Sequence, residues 1–154
     1  MTPLPITPGM DYDHIIDAIT SLHPHLRIDQ VDLPDDLAGA CCPNIDVILI
    51  DQNQTDTRKK CALVHELVHY QHGDDTSHGW AAAKAENRCR RKTALLLINP
   101  IEYATAEQMY DGDIWRISHE LGVTTQVIHD YQHILRQTAG TEPAYTCINP
   151  YKLI

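Results

Sequence analysis

Residues 65–69 read His65-Glu66-Leu67-Val68-His69, an H-E-x-x-H pattern, and no other stretch restricts the chain as tightly. Two histidines four residues apart share one face, a single turn apart, when they lie on a helix. Their imidazoles can then converge on one metal ion at about 2.0–2.1 Å. Glu66 stands about 100° round the helix axis from His65, a poor position for a ligand and a good one for a general base. The flanks agree with a helix over Arg58–His72. Leu63, Val64, Leu67 and Val68 make an apolar stripe, and Gly73 suits the position just past a helix end. A chance match on a solvated surface helix would not need Leu67 and Val68 inside the motif.

A catalytic zinc site needs a third protein ligand and an open position. A metzincin-type pattern would require glycine at 72 and histidine at 75, where this chain has His72 and Asp75. Two candidates remain. His78 lies on the loop after the motif helix. Glu86, seventeen residues after His69, is the only acid between Asp75 and Glu102. A carboxylate from a helix packed against the first would complete a His₂Glu set.

The rest of the chain supplies a scaffold of mixed type. The first nine residues, with three prolines and a glycine, read as an extended arm. Ile15, Ile16, Ile19 and Leu22 give helical spacing over Asp11–His23, and Pro24 stops it. Leu26–Leu33 alternates like a strand. Ile45–Ile50 is a near-continuous apolar run, the pattern of a buried strand. A second long helix is expected over Trp80–Ile98, ended by Pro100. Asp113–Leu135 reads as two short helices broken at Leu121–Thr125, a helix-turn-helix-like segment over 113–137. Residues 138–154 read as a tail. The fold class is α+β, in one domain spanning 1–154.

Composition narrows the function classes. The net charge of −9 disfavours non-specific nucleic-acid binding. Within 113–136 Arg116 and Arg136 face Asp113, Glu120 and Asp130, whereas a DNA-reading helix would be basic. The one basic cluster, Arg88, Arg90, Arg91 and Lys92, reads as a solvated helix face. Five cysteines form no CxxC pair, so a cysteine zinc cluster is not indicated. Cys61 and Cys89 are expected as small buried hydrophobes near the site. The opening residues lack the charged and apolar regions of a signal peptide, and no apolar run reaches spanning length. The expected compartment is the cytoplasm, with free thiols.

Three stretches resemble the ImmA/IrrE family of bacterial and phage metallopeptidases. The first runs from His65 to Gly73. The second is Ala85-Glu86-Asn87-Arg88-Cys89, followed by Thr93-Ala94 and Leu96-Leu97-Ile98, ending at Pro100. It is similar to that family's glutamate helix. The third runs from Ile114-Trp115 through Leu121–Tyr131 to Leu135, a helical segment common after the metal site. The strand Asp46–Ile50 precedes the motif helix where expected, and the likeness covers roughly residues 40–137. Val68, Cys89, Arg90 and Lys92 depart from the residues usual there, and none is expected to touch the three ligands.

The resemblance implies a small zincin-like domain with a short β-sheet, a motif helix, a glutamate helix and a C-terminal helical segment. It implies zinc held by His65, His69 and Glu86, with Glu66 as general base. It also implies a protein substrate, a helix-turn-helix repressor that is cleaved to relieve repression. A non-cleaving protein that binds and displaces such a repressor is the alternative. The donor for the developing oxyanion is left open among Tyr70, His72, His78 and Tyr103. No direct nucleic-acid or membrane partner is expected.

Overall fold

A computed structural model describes residues 1–74 and 79–141, the side chains of 79–81 and 141 excepted. Its elements run α1 (Tyr12–Leu22), β1 (Arg27–Val31), β2 (Gly39–Cys42), a 3₁₀ turn (Pro43–Ile45) and β3 (Val47–Asp51). Then come α2 (Asp56–His72), α3 (Gly79–Leu97), α4 (Pro100–Met109), α5 (Ile114–Leu121) and α6 (Thr125–Thr141). Among the described residues, six α-helices and a three-stranded sheet make the α+β class expected.

The sheet has the order β1-β3-β2. β1 pairs parallel with β3, and β2 pairs antiparallel with it, Gly39 opposite Ile50 and Cys41 opposite Ile48. Ile48 and Ile50, two residues apart on the central strand, share one face and are fully buried. Leu63, Val64, Leu67 and Val68 of α2 belong to the same core and are equally inaccessible to water. The apolar stripe inside the motif therefore anchors α2 while the histidines face elsewhere.

Local chemistry sets the helix bounds. Thr55 caps α2 by accepting from the Arg58 amide. Gly73, at φ 61°, closes it in the left-handed conformation that residues with a Cβ resist. Asn99 caps α4, whose Pro100 needs no amide partner at the first helical position. Asp113 caps α5. A Cβ placed on Gly122, just past α5, would lie 3.5 Å from Lys60 Nζ. The Lys60 ammonium thus sits against the negative end of α5, which favours a cation there.

Several elements differ from the sequence expectation. The extended arm docks on the domain: Leu4 and Ile6 are buried in the core, and the Gln71 side chain donates to the Thr2 carbonyl. β2 and α4 were not foreseen. Gly-Ala-Cys-Cys carries no alternation of polar and apolar residues, and forms a strand because β3 offers it an edge. Pro100 ends one helix and begins the next. α6 continues past 137 to Thr141, so residues 138–141 of the expected tail are helical; 142–154 lie outside the described residues.

The basic cluster is committed to packing. Arg90 Nε and Nη2 grip the Asp130 carboxylate at 3.2 and 2.7 Å, a two-point contact between α3 and α6. Arg91 donates to Gln137, Lys92 to Gln71, and Arg88 to Asp74. Ile128, fully buried, supports the α6 face. Ile128→Ala is expected to lower stability by about 2–5 kcal/mol, read by urea denaturation.

Candidate metal centre

α2 presents His65 and His69 on one face, and α3, packed alongside, brings Glu86 to them. The three donor atoms form a nearly equilateral triangle. His65 Nε2 lies 3.1 Å from His69 Nε2, and Glu86 Oε2 lies 3.2 and 3.3 Å from the two nitrogens. Four ligands around a tetrahedral zinc at 2.0–2.1 Å are separated by ~3.3 Å. The donor set and its spacing fit such an ion. Two nitrogens and a carboxylate oxygen leave one position of a four-coordinate centre for a water.

Glu66 turns toward the sheet. A Cβ on Gly39 would come 2.9 Å from Glu66 Cγ and 3.4 Å from its Oε1. The absent side chain on β2 is what gives Glu66 its space. Burial raises the Glu66 carboxyl above its usual value, with the charges of His65 and His69 opposing that rise. A carboxyl raised in this way holds a proton more readily, which suits an acid–base role.

Hydrogen bonds from His65 and His69 hold Glu86 well below the usual carboxylate range. Burial disfavours charge on His69, yet contacts with Cys89, Glu86 and Asp74 outweigh it and push its pKa up to about 10. Burial pushes the Cys41 thiol up to about 12 and raises that of Cys89. Both thiols therefore stay protonated in the metal-free protein.

A cleft of about 1000 Å³ opens onto His65 and Glu86. α2 contributes Cys61 and Ala62, α3 contributes Arg90 and Thr93, and Ala38 borders it before the edge strand. The opposite wall is the helix-turn-helix-like segment, with Trp115, His119 and residues 123–127. Trp115 is 68% exposed, its ring 5.7 Å from that of His119.

The other candidates fall elsewhere. The Tyr70 hydroxyl donates to Asp46, 2.7 Å away, on the side of the molecule where the arm docks. His72 Nδ1 contacts the Val68 carbonyl one turn back. Tyr103 is 1% exposed, edge-on to the Tyr131 ring, and accepts from Gln132. His78 lies outside the described residues. Cys89 is a buried residue as expected, but it does touch a proposed ligand: Sγ lies 3.2 Å from His69 Nδ1.

Sequence reasoning missed Gly39 and Asp74. A glycine in a short strand gives no signal of what it accommodates. Asp74 is visible only as the residue after a helix-ending glycine, yet its Oδ2 lies 3.0 Å from His69 Nδ1.

Residues 25–131 match a peptidase family described as the IrrE N-terminal-like domain. No curated protein and no solved structure matches the chain.

The raised pKa of His69 has a measurable consequence. Ligation needs a neutral imidazole, so zinc must displace a proton from the His65–His69–Glu86 cluster at pH 7. Calorimetric titration with zinc in buffers of different ionisation enthalpy should report about one proton released, and weaker binding as pH falls. A heat independent of the buffer would contradict this.

Proposed function

Because the chain belongs to the ImmA/IrrE peptidase family, we propose that it is a zinc-dependent endopeptidase whose substrate is a helix-turn-helix repressor. The observation that carries the reading is the triangle of His65, His69 and Glu86 donor atoms beside a buried Glu66 and an open cleft.

A zinc ion held by those three residues would supply Lewis acidity, polarising the scissile carbonyl and making a water acidic near neutral pH. Glu66 takes the proton from the attacking water and delivers it to the leaving amine. β2 is an edge strand of the sheet among the described residues, and Ala38 lines the cleft at its start. An extended peptide adding to that edge would run past Glu66. His119 faces the same cleft from α5 and is our choice of donor for the developing oxyanion, in place of Tyr70, His72 and Tyr103.

A folded repressor is a large substrate, and the exposed Trp115 beside His119 offers it an aromatic contact at the cleft wall. The first turn of α6 lines that cleft while Asp130 is gripped by Arg90 of α3. This placement favours a role in the protein's own cleft over DNA reading. No helix among the described residues is long and apolar enough to cross a membrane.

The test is incubation of the zinc-loaded protein with a helix-turn-helix repressor encoded beside it, the products followed by gel and mass spectrometry. Cleavage is expected, and a chelator should abolish it. Glu66→Gln should keep zinc and lose turnover by at least about 100-fold. Undiminished repressor inactivation by Glu66→Gln would favour displacement without cutting. Gly39→Ala is a second probe. Its Cβ should push Glu66 aside and lower kcat about tenfold or more, in line with the cost of a small misplacement. Zinc affinity should be unchanged, since Gly39 adjoins none of the three ligands. Wild-type kcat in this variant would separate Glu66 from the chemistry.

A further inference from the structure

Resting on the zinc reading above, we propose that Asp74 is a positioning residue for the metal centre, accepting a hydrogen bond from His69 Nδ1–H and so turning the Nε2 lone pair toward His65 and Glu86. A neutral imidazole carries one N–H and one lone pair. His69 Nε2 is the nitrogen in the donor triangle, so its proton must sit on Nδ1, which then needs an acceptor. Asp74 Oδ2 lies 3.0 Å from Nδ1. Cys89 Sγ, at 3.2 Å, is the other neighbour, and a thiol sulfur is a weak acceptor.

The backbone turn that ends α2 places this carboxylate. With Gly73 in the left-handed region, its amide bonds the Tyr70 carbonyl at 3.1 Å, and the Asp74 amide bonds the His69 carbonyl at 3.2 Å. The chain thus folds back so that the Asp74 side chain meets the ring of the residue whose carbonyl its own amide holds. The other carboxylate oxygen, Oδ1, is bound by Arg88. Arg88 is two residues beyond Glu86 on α3, so one short bridge ties the second histidine of α2 to the helix carrying the third ligand. The Asp74 side chain is only 11% exposed, and among the described residues it bonds Arg88, His69 and Cys89.

His69, Asp74 and Cys89 also satisfy the spacing of a metal-binding group, their donor atoms within 4.8 Å of one another. The Arg88 guanidinium on Asp74 argues against a second cation there, since like charges would share one carboxylate.

Zinc affinity, measured by competition with a chromophoric chelator, tests the assignment without requiring turnover. Asp74→Asn and Asp74→Ala should each weaken zinc binding about 10- to 100-fold. Metal-free Asp74→Asn, which keeps an acceptor oxygen for Arg88, should melt near the wild type. Nitrogen-15 spectra of histidine-labelled wild-type protein with zinc should show His69 protonated at Nδ1. This holds even if the variants fail to fold. Unchanged affinity in a folded Asp74→Asn, a His69 ring lacking the Nδ1 proton, or two zinc ions per chain would each overturn the proposal. If the wild type bound no zinc, this proposal and the zinc reading would fall together. Zinc bound by the wild type and by Asp74→Asn alike would remove only the role of Asp74.

Discussion

Two helices meet so that two imidazoles and one carboxylate converge within 3.3 Å, and the rest of the molecule serves to keep that meeting in register. The two imidazoles hold the Glu86 carboxyl low, and Cys89, Glu86 and Asp74 together raise His69 against its burial. A slip of α3 by one turn would carry Glu86 about 5.4 Å along the axis, out of reach of both nitrogens. Polar ties oppose that slip at both levels of the helix pair. Arg88 holds Asp74, and Lys92 donates to Gln71. On its far side α3 is fixed to α6 through Arg90 and Asp130. Three members of the cluster that the sequence presents as a basic patch, Arg88, Arg90 and Lys92, are thus tied to neighbouring elements, while Arg91 stays exposed.

The sheet contributes less mass than the helices but determines where Glu66 can be. β3 fixes α2 from below through Ile48 and Ile50. β2 then lies along the helix, and only a glycine at position 39 allows the strand and Glu66 to share that space. The proposed metal ligands and the proposed general base are therefore positioned by different neighbours: α3 for the first, the edge strand for the second. This separation lets the two functions be perturbed independently.

Much of this was legible in the sequence, for identifiable reasons. The helical repeat brings His65 and His69 together with no help from the rest of the fold, so their pairing could be read directly. Glu86 was readable because it stands alone among Ala, Arg and Lys, though spacing could not choose between it and His78. The α+β class followed from the apolar run at Ile45–Ile50 among helical segments. What could not be read depends on contacts distant in sequence. β2 exists because β3 has an open edge. Gly39 matters because of Glu66, twenty-seven residues on. Tyr103 reads as a usable hydroxyl until α6 buries it beside Tyr131. Asp74 is near in sequence, but its role depends on the left-handed turn at Gly73 and on Arg88 arriving from α3.

The proposed chemistry requires a nitrogen- and oxygen-bound zinc at the α2–α3 junction, and the zinc K-edge absorption fine structure of the loaded protein interrogates that centre directly. It should show a first shell of nitrogen and oxygen alone at about 2.0–2.1 Å, with outer scattering from two imidazoles. A sulfur shell at about 2.3 Å would instead place Cys89 or another thiol on the metal and contradict the assignment of His65, His69 and Glu86.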